Sequence, residues 1–182
     1  RAMEIRPDPE IAAHLGEVLW AKGERERATE IWQSQLKATP DHPVLLETLR
    51  RLRKHGTWTE IVALVIPTQN DSEAETRALA RFVRDEVGEE TPVHFTRFHP
   101  SYRLQNLPST PVATLDRCRN VAVAEGLRFV YLGNVPGHPG ENTWCPGCGK
   151  VLIRRFGMAV AENRLKNGAC PDCRRKIPGI WT

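Results

Sequence analysis

The chain has 182 residues, enough for one ordinary domain or two small ones, and at 40% hydrophobic and 26% charged it has the makings of a packed core, which excludes wholesale disorder. No apolar run approaches the ~18 residues of a membrane span, and Arg1-Ala2-Met3-Glu4 does not read as a signal peptide, so a cytoplasmic protein with no membrane partner is expected. The net charge of +4 is uneven: residues 145–182 hold eight Lys/Arg and two acidic residues, so the basic character belongs to the C-terminal segment.

Residues 9–39 read as two helices. Ile11, Leu15, Val18 and Leu19 share one helical face, Gly23 interrupts it, and Ala28, Ile31, Trp32 and Leu36 resume it before Pro40 and Pro43. The spacing Leu15-Gly16, Leu19, Ala28, Trp32, Pro40 resembles a tetratricopeptide repeat, with Ala12 where the repeat carries a large aromatic residue; an ordinary helical hairpin has the same periodicity. A single repeat cannot bury its own core, so this unit must lean on something else or end a longer array. Residues 43–55 predict a third helix, apolar at Val44, Leu45, Leu46, Leu49 and Leu52, basic at Arg50, Arg51, Arg53 and Lys54, and stopped by Gly56. No aromatic residues interleave with the basic run, so it reads as a solvated face and not as a nucleic-acid surface.

A β-α-β-α-β alternation follows. The run Ile61-Val62-Ala63-Leu64-Val65-Ile66, bounded by Pro67, predicts a strand buried on both faces. Asp71 or Ser72 caps the next helix, and Ser72 with Glu75 has capping-box spacing; Leu79, Phe82, Val83 and Val87 form its apolar stripe and Gly88 stops it. Pro92 to Thr96 predicts a short strand, Thr110 to Glu125 a helix ended by Gly126, and Leu127 to Leu132 a third strand. Strands spaced by helices imply right-handed parallel crossovers, and about three such strands are a piece of an α/β sheet or barrel, too few to close one.

The C-terminal segment has a looser texture. Residues 133–182 hold 13 of the 27 Gly and Pro residues, and such a tail needs a staple. Cys145-Pro146-Gly147-Cys148 and Cys170-Pro171-Asp172-Cys173 supply one, because each Cys-x-x-Cys forms a turn and four thiolates suit a tetrahedral ion. Val151-Leu152-Ile153 and Phe156 between the pairs predict the strand of a small hairpin, as in a zinc ribbon or rubredoxin-like knuckle. Zinc or iron fits these ligands. The site is structural in kind, and the basic residues around it offset the charge of a tetrathiolate centre; a nucleic-acid role for the ribbon, through its basic residues and phosphates, is the less favoured alternative. Cys118 stands alone and reads as a small core hydrophobe.

Polar loops follow all three strands: Thr68, Gln69, Asn70 and Asp71, then Arg97 and His99, then Asn134. Ligands of parallel α/β sheets bind beyond the C-terminal strand ends. An Arg can fork to a carboxylate or phosphate and a His can bind or move a proton, so these loops predict a ligand site, against the alternative of loops that are polar because they are exposed.

From about Pro43 onward these stretches carry a resemblance. Trp58-Thr59-Glu60 leading into Leu64-Val65-Ile66-Pro67 and Asn70-Asp71, His94-Phe95-Thr96-Arg97-Phe98-His99-Pro100, Tyr131-Leu132-Gly133-Asn134-Val135, Asn142-Thr143-Trp144-Cys145-Pro146-Gly147-Cys148-Gly149 and Gly179-Ile180-Trp181 together resemble the C-terminal half of AmmeMemoRadiSam-system radical S-adenosylmethionine enzymes, relatives of pyruvate formate-lyase activating enzymes. The resemblance implies a partial parallel βα barrel, with Asn70, Arg97 and His99 placed to touch the cofactor or substrate of a complete relative. It also implies a Cys-x3-Cys-x2-Cys loop that holds a [4Fe-4S] cluster; the 182 residues contain none. The expected organisation is therefore a tetratricopeptide-like helical hairpin (1–42), a partial radical-enzyme βα barrel (43–132) and a zinc-ribbon tail (133–182). No catalytic residue is assigned. The expected function is that of a portion of a radical enzyme, inactive alone, with [4Fe-4S] and S-adenosylmethionine coming only with a complementary half. The alternative is a protein-interaction adaptor whose partner docks on the hairpin or on an exposed sheet edge.

Overall fold

The computed structural model describes residues 43–101 and 104–181, with positions 19, 22, 24 and 27 from the preceding segment. The helical hairpin expected over residues 9–39 otherwise lies outside the described residues. The chain divides into two compact units, Arg1–Arg51 and Leu52–Thr182. Helix α1, Pro43–Lys54, runs across that division. It ends as a glycine-capped helix does: the Thr57 amide donates to the Leu52 carbonyl and the Gly56 amide to the Arg53 carbonyl, both at 3.0 Å, with Gly56 at φ +66°.

The second unit begins with strand β1 (Ile61–Val65), helix α2 (Glu73–Phe82), strand β2 (Val93–Arg97), helix α3 (Val112–Ala124) and strand β3 (Val130–Gly133). The strands are parallel in the order β1-β2-β3. Register places Ile61, Val93 and Val130 in one row and Ala63, Phe95 and Leu132 in the next. Val93, Phe95, Val130 and Leu132 from these rows are buried, as are Ala80, Val83, Leu115 and Ala122 of the helical segments. Successive parallel strands joined in order by helices leave the helices on one face. The alternate rows, Val62-His94-Tyr131 and Leu64-Thr96-Gly133, lie on the other face. Here the structure corrects the expectation that the first strand is buried on both sides: Val62 is 68% exposed and Leu64 43%. Six apolar residues in a row cannot say which of the two faces finds a cover.

Local chemistry explains the element boundaries. The Ser72 hydroxyl accepts the Glu75 amide at 3.2 Å and the Glu75 carboxylate accepts the Ser72 amide at 3.4 Å, the capping box the spacing predicts. Helix α2 widens into a π turn over Val83–Gly88, which keeps Val83 and Val87 in the core. Helix α3 starts at Val112, two residues later than expected, because Thr110 is fully buried and its hydroxyl is used by the sheet: it donates to the Val65 carbonyl at 2.5 Å and accepts the Phe98 amide at 3.1 Å. Glu125 follows the C-terminus of α3, where a carboxylate is disfavoured by the helix dipole. It is held by Arg77 and by Arg81 at 2.8 Å, with Arg84 at 3.8 Å, which ties α2 to α3. Cys118 is buried and accepts a hydrogen bond from Thr76 at 3.5 Å.

The rest of the unit is an antiparallel sheet, β4 (Thr143–Trp144), β5 (Val151–Phe156) and β6 (Ala159–Asn163), in the order β4-β5-β6. Leu152, Ile153, Cys145, Cys170 and Ile177 form its buried cluster, and Phe129, from the turn into β3, is part of it. The two sheets thus belong to one compact unit. Among the described residues no helix is long and apolar enough to cross a membrane.

Candidate metal centre and sheet-face cleft

The two Cys-x-x-Cys segments fold alike. In the first, the Cys145 amide donates to the Lys150 carbonyl at 2.8 Å and the Gly149 amide to the Cys145 carbonyl at 2.9 Å. In the second, the Cys170 amide donates to the Arg175 carbonyl and the Arg174 amide to the Cys170 carbonyl, both at 2.9 Å. Gly149 and Arg174 hold the same left-handed backbone, φ +69° and +62°. Each loop turns its two sulfurs inward, and the four Sγ atoms of Cys145, Cys148, Cys170 and Cys173 lie within 4.8 Å of one another. Cys145 and Cys173 approach to 3.4 Å and Cys148 and Cys170 to 3.7 Å. A single tetrahedral ion with sulfurs at about 2.3 Å separates them by about 3.8 Å. The spread therefore suits one metal ion such as zinc; a four-iron cube, which places an iron and bridging sulfides behind each thiolate, needs more room.

The thiols are not equivalent. At Cys170 burial works against ionisation, but the amides of Cys173 and Asp172 and the neighbouring sulfurs outweigh it and set the thiol at about 7. At Cys148 the Lys150 amide favours the thiolate, while burial and the other three sulfurs push it up to about 12. Four sulfurs this close cannot all ionise without a cation among them; a bound ion deprotonates its ligands outright. Cys145 and Cys170 are buried and Cys148 and Cys173 exposed, so the centre sits at the surface with half its ligands in the core. Among the described residues, these four cysteines are the group of His, Cys, Asp or Glu side chains close enough to hold an ion, and four thiolates suit a tetrahedral one.

A cleft of about 810 Å³ opens on the helix-free face of the parallel sheet, between it and the antiparallel sheet. Its floor carries a continuous polar network. The Trp58 indole donates to Glu60 at 3.0 Å, the other Glu60 oxygen lies 2.9 Å from His94 Nε2, and the His94 ring stacks on Tyr131 with centroids 4.9 Å apart. The Tyr131 hydroxyl is 3.1 Å from Thr143 Oγ1, which accepts a hydrogen bond from Arg155 Nη1 at 2.8 Å. Arg155 also lies over the Tyr131 ring, 5.6 Å from its centroid. Burial pushes the Tyr131 phenol above its ordinary value, opposed by the bond to Thr143 and the charge of Arg155. Trp58, Val62, Met158 and Trp181 supply apolar walls. Strand parity places Glu60, one residue before β1, with His94 and Tyr131, and no local spacing in the sequence joins the three.

The three residues expected at a cofactor site stand at the C-terminal edge of the sheet, each with its own partner. Asn70 turns back on β1: its amide donates to the Leu64 carbonyl at 2.9 Å and its oxygen accepts the Ile66 amide at 2.7 Å. Arg97 is the last residue of β2, and its Nε donates to the Thr110 carbonyl at 2.8 Å. His99 Nδ1 lies 3.3 Å from the Ser109 hydroxyl. Asn134 bridges from β3 by donating to the Arg97 carbonyl at 3.1 Å. Thr68 and Asn134, in the loops after β1 and β3, have φ of +64° and +60°; for the β-branched Thr68 this is a strained conformation, held by the hydrogen bond its backbone amide donates to Asp71 Oδ1 at 2.9 Å.

No family model matches the chain. An uncharacterized protein of Methanocaldococcus jannaschii is 45% identical to it over 150 residues, 81% of this chain and 44% of that protein. The chain thus spans less than half the length of the relative it matches.

Proposed function

We propose that this chain is the C-terminal portion of a radical S-adenosylmethionine enzyme, built from the later strands of a parallel βα barrel and a zinc-stapled tail, and that it is not catalytic by itself. The observation that carries this reading is the sheet: three parallel strands in sequential order, with a polar floor of His94, Thr96 and Tyr131 facing a cleft on the helix-free side. An inner barrel wall has this construction. The length relation to the Methanocaldococcus protein, more than half of which lies outside the match, supports it. Arg97, His99 and Asn70 stand at the strand ends, where S-adenosylmethionine would lie in a complete barrel. That cofactor and its [4Fe-4S] cluster come with a complementary half, because the sequence has no Cys-x3-Cys-x2-Cys.

Zinc is the ion we assign to Cys145, Cys148, Cys170 and Cys173, with a structural role. Metal analysis of the purified chain should find one zinc and no labile sulfide. Anaerobic reconstitution with iron and sulfide should give no 4Fe-4S absorption and no 5′-deoxyadenosine until a cluster-bearing half is added. Deoxyadenosine from the isolated chain would overturn the reading, and so would failure of every cluster-bearing half to associate with it.

A second reading, a protein-interaction adaptor, draws support from the exposed apolar side chains of Val62, Met158 and Ile180. Affinity capture with and without residues 1–42 separates the two: a partner set that depends on that segment favours the adaptor.

A further inference from the structure

The two cysteine loops differ at three matched positions, Gly147/Asp172, Gly149/Arg174 and Lys150/Arg175, and the first and third of these differences join them. Gly147 and Asp172 each precede the second cysteine of their loop, and Lys150 and Arg175 each close the loop by accepting the first cysteine's amide. Lys150 of the first loop reaches Asp172 of the second, Nζ to Oδ1, at 2.6 Å. Arg164 takes the other carboxylate oxygen, Nη2 to Oδ2, at 3.0 Å. Arg164 is itself fixed to β5: its Nη1 donates to the Val151 carbonyl at 3.0 Å and its amide to the Leu152 carbonyl at 2.8 Å. The mirrored clamp cannot form. A Cβ at Gly147 would lie 3.3 Å from Arg175 Cδ and 3.4 Å from Cys173 Sγ, and Arg175 instead pairs with Glu90 at 3.4 Å.

We infer that Asp172 is a positioning residue for the metal centre: by holding Lys150 and Arg164 it locks the two cysteine loops together and slows release of the ion. The inference rests on reading the four cysteines as a metal site. Its location gives it leverage. Lys150 lies two residues from Cys148 and Asp172 lies beside Cys173, and these are the two exposed ligands. Ion loss begins where a competing ligand can reach the ion by displacing an exposed thiolate, so a clamp across the exposed half acts on the step that opens the site.

The test is the rate at which the full chain, loaded with one equivalent of zinc, surrenders it to a chromophoric chelator. Asp172→Asn should release zinc roughly three- to tenfold faster than the wild type, the weight of two partly exposed ion pairs. Lys150→Met with Arg164→Met should accelerate release as much, and adding Asp172→Asn to that pair should change nothing further. Glu162→Gln, which removes the same charge from a surface pair with Arg154, should leave the rate alone. Cobalt-substituted Asp172→Asn should keep the wild-type tetrathiolate spectrum, since the ligands are untouched. A rate for Asp172→Asn within twofold of wild type overturns the inference, as does an acceleration that persists in full without Lys150 and Arg164. A wild-type chain that retains no metal ends the metal reading itself, whereas normal loading with unchanged release ends only the clamp.

Discussion

The matched cysteine loops allow a paired prediction in which one backbone position is perturbed in opposite directions. Gly149 and Arg174 occupy the same left-handed place, φ +69° and +62°, directly after the second cysteine of each loop. An L-residue in that region is disfavoured by roughly 1–2 kcal/mol, and the extra freedom a glycine loses on folding offsets about 0.5–1 of it. The net preference for glycine is about 0.5–1 kcal/mol. Nothing lies within 4 Å of a Cβ built at Gly149, so Gly149→Ala adds backbone strain without a collision. Arg174 is exposed, so Arg174→Gly removes strain without opening the core. With zinc saturating, Gly149→Ala should lower and Arg174→Gly should raise the midpoint of thermal unfolding, each by roughly 2–4 °C. The double variant should fall close to wild type, because the loops touch the same ion but carry separate torsions. If Arg174→Gly melts below wild type, or if Gly149→Ala is neutral, the two loops are not backbone equivalents.

Thr110→Val should cost about 1–3 kcal/mol in urea denaturation, because it leaves the buried Phe98 amide and Val65 carbonyl without the hydroxyl that serves both, and Thr110→Ser should recover most of the loss. Chelation should raise amide exchange across β4–β6 and around Phe129 while the amides of α2 and α3 retain more protection; uniform exchange across the unit would count against the metal as a local staple. Acid should destabilise the unit in a defined direction. Arg81 and Arg77 hold the Glu125 carboxyl below its ordinary value, and Lys150 and Arg164 do so for Asp172. Groups lowered in this way contribute fully above the ordinary carboxylate range and lose that contribution as pH falls through the lowered values. Stability should therefore be level down to the ordinary range and decline below it, and Glu125→Gln should flatten that decline; a decline beginning near neutrality would point to another group.

What was legible in the sequence is what short spacing decides. Ser72 and Glu75 cap α2 because three residues fix their geometry, and each cysteine pair makes its turn because two residues separate the sulfurs. Convergence of the pairs followed from the demand of one ion for four ligands. The polar floor was not legible, since Glu60, His94 and Tyr131 meet only through the register of three strands. Nor was the role of Asn70, whose side chain is taken up by its own strand end. Residues of identical polarity can serve a turn or a ligand, and only the positions of nearby carbonyls and amides separate the two. Thr110 belongs to the same class: its type suited a helix start, but a free Val65 carbonyl claimed it.

Phe129 sets where this polypeptide can be cut. It precedes β3 by one residue in the chain, yet its ring is part of the cluster that includes Cys145 and Cys170. A fragment starting at residue 133 would carry all four ligands and leave behind the aromatic ring that fills their core, and a fragment ending at 132 would present that ring to water. The smallest transplantable metal module therefore begins upstream of Phe129, and it takes β3 with it.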